Sequence, residues 1–156
     1  MNFAGEGNLA YKDAFSTYKE TKIKTASQGQ LILMLYDEAI KQLKQALELL
    51  ELNNSGKKNP GRIELIGKAI MKTQELITEL MVSLDFDKGG EIAQNLFSLY
   101  TWFNRELIEA NIKQDSQRIL DVKNMLSDLR GAWNEIAIKN PSEAANREVA
   151  GVNIAG

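Results

Sequence analysis

Residues 25–52, TASQGQLILMLYDEAIKQLKQALELLEL, carry more apolar surface than one helix needs. At about 100° per residue, Ile32, Leu35, Tyr36, Ala39, Leu43, Ala46 and Leu50 fall on one stripe as wide as a bundle core requires. Leu33, Ile40 and Leu47 recur at heptad spacing along one flank of that stripe, and Leu31 and Leu49 lie on the other. The outer arc keeps Asp37, Lys41, Lys44, Gln45 and Glu48. Buried against a partner, each flank residue contributes ~1.5–3 kcal/mol. Left in water together, they form a patch that invites association. Two coverings fit this excess: a third neighbouring helix of the same chain, or another polypeptide held in a groove.

Working outward, Ser27 and Gln30 have the spacing of a capping box, which starts this helix, and NNSGKKN after Leu52 ends it. Asn59-Pro60 supplies an N-cap followed by proline at the first helical position. The second helix, Pro60 to about Leu84, places Ile66, Ala69, Ile70, Thr73, Leu76, Ile77, Leu80, Met81 and Leu84 on one broad face. DFDKGG reads as a tight turn, so the helices on either side are antiparallel neighbours. The third helix, about Gly90 to Ala110, has Ile92, Leu96, Leu99, Phe103, Leu107 and Ala110 as its core stripe. Ala93, Phe97, Tyr100, Asn104, Ile108 and Asn111 share one flank, where apolar anchors alternate with amides that offer hydrogen bonds to a bound backbone. Packing against the adjacent helix is the plainer reading of that flank. Asp115 or Ser116 caps the fourth helix, whose face is Ile119, Val122, Leu126, Leu129, Trp133 and Ile136, and Asn140-Pro141 ends it.

The pattern predicts an all-α fold, an antiparallel up-down-up-down four-helix bundle over residues 25–139. Residues 1–24 are glycine-containing yet rich in large side chains (Phe3, Leu9, Tyr11, Phe15, Tyr18) and read as an N-terminal docking arm. Residues 140–156 are small and polar and read as a disordered tail.

Composition removes most catalytic designs. Among 156 residues there is no cysteine and no histidine, which excludes the usual zinc sites, cysteine nucleophiles, Ser-His-Asp triads and Glu-x-x-His di-iron centres. Nineteen Lys and Arg against 21 Asp and Glu leave a formal charge of -2, so no strong field draws nucleic acid or an anionic membrane. No stretch approaches the ~20 apolar residues of a membrane span and no signal peptide is evident, so a cytosolic location is expected. Gly89-Gly90 lacks the rest of a P-loop. Carboxylates occur singly on polar faces, Asp85 and Asp87 read as caps, and Trp102 and Trp133 as packing residues. No enzymatic activity, cofactor, metal site or catalytic residue is therefore expected.

Across the four helices an ordered set of segments stands out: Ala10-Tyr11, Thr25-Ala26-Ser27, Leu33-Met34-Leu35-Tyr36-Asp37 with Ala39-Ile40, Ser83-Leu84-Asp85, Gly89-Gly90-Glu91-Ile92-Ala93, Asn95-Leu96, Leu99-Tyr100, Ala110-Asn111, Asp115, and Leu129-Arg130 with Ala132-Trp133. In this set the chain resembles the flagellar secretion chaperones. Two positions depart from the family pattern: Gln28 stands where proline is common, and Glu38 where glycine is common. The resemblance implies a cytosolic protein that binds the disordered C-terminal segment of flagellin, prevents its premature polymerisation and delivers it to the flagellar type III export gate. It also implies that the N-terminal arm occupies part of the client groove in the empty protein, with Tyr11 as its autoinhibitory anchor. On helical geometry, the client-binding candidates are Leu33, Ile40 and Leu47 from the first helix with Ala93, Phe97, Tyr100, Asn104, Ile108 and Asn111 from the third. A monomer, at most weakly dimeric, is expected. The alternative is a regulatory or scaffold bundle whose apolar flanks are buried by homodimerisation.

Overall fold

A computed structural model describes residues 28–139, and these form four helices: α1 (Gln28–Ser55), α2 (Pro60–Val82), α3 (Phe86–Lys113) and α4 (Ser116–Lys139). The arm, Ser27 of the expected capping box and the tail lie outside the described residues. Each helix packs against the two that follow or precede it around a square, with α1 against α2 and α4, and α3 against α2 and α4. The bundle is therefore the antiparallel arrangement expected from short connections.

Local chemistry sets the helix ends. The side chain of Asn59 (φ -127, ψ 117) accepts a hydrogen bond from Gly61 N at 2.8 Å, with Pro60 in the first turn. Asn53, buried in the last turn of α1, accepts from the backbone N–H of Asn59 at 2.8 Å and so ties the end of α1 to the start of α2. Asp115 caps α4 by accepting from Gln117 N at 3.0 Å.

The start of α3 differs from the expected tight turn. Asp85 accepts from the N–H groups of Asp87 and Lys88, both at 3.1 Å, so a first helical turn already forms at Phe86. At Gly90 the chain then kinks, with φ 53 and ψ -129, before the long run of α3 begins. Only glycine enters that region without strain, which is the physical reason for Gly90 in this sequence.

The core is continuous and follows the periodicity. Ile32, Tyr36, Ala39, Leu43, Ala46 and Leu50 of α1 meet Ile66, Ile70, Ile77 and Leu80 of α2, with Leu96, Phe103 and Leu107 of α3 and Ile119, Val122, Leu126 and Trp133 of α4. Thr73 is fully buried among them, and its hydroxyl is satisfied by donating to the Ala69 carbonyl at 2.9 Å.

Candidate functional site

The register between α2 and α3 defines the site. Gln74 Nε2 donates to the Asn104 carbonyl at 3.2 Å, and a Cβ on Gly67 would lie 3.7 Å from Asn111 Oδ1. Advancing along α2 from Gly67 to Gln74 thus retreats along α3 from Asn111 to Asn104, which brings Met71 level with Ile108. Outside this seam the two helices present Met71 (57% exposed), Phe97 (42%), Ile108 (51%) and Ile112 (72%). Phe97, Asn104, Ile108 and Ile112 share one face of α3 at helical spacing, so the exposed side chains form a stripe along the α2–α3 groove. Phe86 steadies its upper end, with its ring centroid 5.8 Å from that of Phe97 in an edge-on contact. Leu52, Ile63, Leu65, Val82 and Leu120 are exposed elsewhere on the bundle, but this strip joins side chains of two helices at one seam and has the chemistry of a polypeptide-binding surface.

The inner side of the same helix is fixed by a polar contact in the core. Tyr36 of α1 and Tyr100 of α3 hydrogen-bond through their hydroxyls, and Trp133 Nε1 of α4 donates to Tyr36 Oη at 3.2 Å. Burial pushes the Tyr36 phenol up to about 12, and it raises Tyr100 as well. At the periphery, Arg130 of α4 reaches Asp37 of α1 with both Nε (2.8 Å) and Nη2 (3.3 Å). Arg118 bridges Glu106 of α3 at 2.6 Å and Asp115 at 3.1 Å. The hydrogen bonds to Asp37 and Glu106 raise the pKa values of Arg130 and Arg118, respectively.

The nine candidates separate into three environments. Phe97 and Ile108 are exposed in the groove, with Asn104 and Asn111 partly exposed along its seam. Ala93 and Tyr100, expected on the same flank, are instead core residues, at 0% and 1% exposure. Tyr100 turns inward, where its hydroxyl meets that of Tyr36 of α1. Leu33, Ile40 and Leu47 lie on the side of α1 that carries Asp37 toward α4, and they are half-buried against the core. The third neighbouring helix accounts for much of the surplus apolar surface in α1. Because α1 and α3 stand diagonally across the bundle, the two candidate flanks do not form one surface.

Met71 and Ile112 were not among the candidates. Met71 sits on the outward side of α2, amid Lys68, Lys72 and Glu75, and an apolar residue in that polar arc was the available signal. Among the described residues there is no cluster of acids able to hold a metal, and no helix is long and apolar enough to cross a membrane.

Comparisons with known proteins establish the family of the chain. The family model described as "Flagellar protein FliS" matches residues 11–140. The chain is 38% identical over 121 residues, covering 77% of its length and 84% of the relative, to the flagellar secretion chaperone FliS of Salmonella typhimurium. It is 30% identical over 141 residues (90% and 95%) to that of Escherichia coli, and 29% identical over 127 residues (81% and 88%) to that of Bacillus subtilis. A helical bundle with an open apolar groove, matched over most of its length by these relatives, belongs to the FliS family of flagellar secretion chaperones.

Proposed function

We propose that this protein is a cytosolic chaperone that binds the disordered C-terminal segment of flagellin, keeps it from polymerising prematurely and delivers it to the flagellar type III export apparatus. The observation that carries this reading is the exposed stripe Phe97, Ile108 and Ile112 with Met71 beside it, on a bundle of this family. A client segment that becomes helical on docking would bury its own apolar face against that stripe, coupling folding to binding. Residues 1–24, anchored through Tyr11, would shield the groove until the client displaces them. The protein acts by binding, without a cofactor and without catalysis.

Calorimetric titration with the organism's own flagellin, intact and lacking its C-terminal segment, tests the reading. Saturable one-to-one binding of the intact protein alone, with a negative heat-capacity change, is expected. The competing reading, a scaffold whose flanks are covered by homodimerisation, predicts instead a constitutive dimer whose mass does not fall on dilution.

A further inference from the structure

Asn104 lies in the exposed stripe of α3, about 10 Å along the axis from Phe97 and about 6 Å from Ile108 at ~1.5 Å per residue. Its Oδ1 is buried and accepts no hydrogen bond among the described residues. The neighbouring amide donor, Gln74 Nε2, is spent on the Asn104 backbone carbonyl. A buried acceptor without a donor destabilises the empty groove, and a partner that brings the donor removes that penalty. Gln114 Oε1 is the other buried side-chain acceptor in this state among the described residues, but its amide is held by Nε2 donating to the Asn111 carbonyl at 2.6 Å, at the α3–α4 turn. Asn104 has no such tether, and the residue is partly exposed, so a client docked on the stripe covers its side-chain amide.

Resting on the chaperone reading above, we infer that Asn104 selects clients by demanding a hydrogen-bond donor in the middle of an otherwise apolar helical face. The matching client helix carries two large apolar residues about three turns apart, one against Phe97 and one against Ile108. Between them, nearer the residue that meets Ile108, stands a side-chain donor such as Ser, Thr, Asn, Gln, Lys or Arg. A wholly apolar helix gains the same area but leaves the acceptor unpaired, so the groove discriminates by polarity as well as by shape. This also disfavours nonspecific association through the stripe.

The test is titration of the isolated C-terminal segment of the organism's flagellin against the wild-type protein, Asn104→Leu, Asn104→Ala and Asn104→Asp, with thermal melts confirming that each is folded. Asn104→Leu and Asn104→Ala should bind ~10–100-fold more weakly, since the client's donor is then buried without an acceptor. Asn104→Asp keeps the acceptor and should bind within a few-fold of wild type. Replacing the client's donor by leucine should weaken binding to wild type and restore it to Asn104→Leu, the signature of a direct pair. Equal binding of Asn104→Leu and wild type, or Asn104→Asp as weak as Asn104→Leu, overturns the inference while leaving the chaperone reading intact. Failure of the wild-type protein itself to bind the segment overturns that reading and the inference with it.

Discussion

The hydroxyl oxygens of Tyr36 and Tyr100 lie 2.5 Å apart, joining α1 to α3 across the diagonal of the bundle. Diagonal helices have few other direct contacts, so this bond and the Trp133 indole that donates to Tyr36 fix α3 relative to the two helices behind it. Phe97 and Asn104, three residues before Tyr100 and four after it, lie beside it on the adjoining outer strip of α3, which makes the core network the inner support of the groove.

The two tyrosines should respond unequally to loss of their hydroxyls. Tyr36→Phe removes the acceptor for the Trp133 indole and the partner of Tyr100 together, leaving two buried polar groups unpaired at ~1–3 kcal/mol each. Tyr100→Phe leaves the Trp133 to Tyr36 bond in place and should cost only ~1 kcal/mol. Urea denaturation of both variants checks the order; a larger loss for Tyr100→Phe would mean that the network is wired differently.

Alkaline pH should unfold the protein through the same pair. In the unfolded chain a tyrosine ionises near its ordinary value of 10.0, whereas in the folded state burial holds Tyr36 protonated up to about 12 and raises Tyr100 too. The stabilisation from neutral, buried phenols is therefore fully present below pH 10 and is lost as pH rises through the folded value, since only the unfolded state releases the protons in between. Tyr36 should lower stability by ~1.4 kcal/mol per pH unit across that window, and Tyr100, also raised by burial, acts in the same direction. Helicity and tyrosinate absorbance followed together should change in one transition. Tyrosinate appearing while the helices persist would show that the phenols are open to solvent.

Gly90→Ala isolates the cost of the kink. An added Cβ meets nothing within 4 Å, so the change acts through the backbone alone, at φ 53. A strained L-residue there should cost ~1–3 kcal/mol, read as a lowered melting temperature. An unchanged melting point would mean that the first turn of α3 can straighten without loss.

Ile108→Asp and Leu47→Ala should separate binding from stability. Ile108 is 51% exposed, so a charge there should alter stability by only ~0.5 kcal/mol while abolishing client binding at the stripe. Leu47 is half-buried against the core, and its truncation should cost ~1–3 kcal/mol. Titration beside urea denaturation distinguishes them; unchanged client affinity in Ile108→Asp would move the client off this face.

Much of the fold was legible because the signals were local. The heptad and i, i+4 spacings of Ile66, Ile70, Thr73 and Ile77, or of Ile119, Val122 and Leu126, named core positions that the structure buries. Asn59-Pro60 announced a cap that forms as expected. The Asp85–Gly90 segment was read only in part, because whether Asp85 closes a turn or starts a helix depends on which backbone N–H groups approach its carboxylate. The candidate site was less legible. Periodicity put Tyr100 and Phe97 on one flank alike, yet one is buried and the other stands in the groove.

The sequence by itself determined four amphipathic helices, the caps of α2 and α4, the antiparallel order, and an excess of apolar surface on α1 and α3, because each follows from backbone geometry and side-chain spacing within one segment. The tertiary structure decided where that excess is covered. Helix α4 lies along the Leu33, Ile40 and Leu47 flank, whereas the outer arc of α3 beyond the Gln74–Asn104 contact stays open. That outcome rests on the lateral arrangement of helices around the core, which no single helix's periodicity encodes: a stripe wide enough to need a cover does not specify which neighbour supplies it.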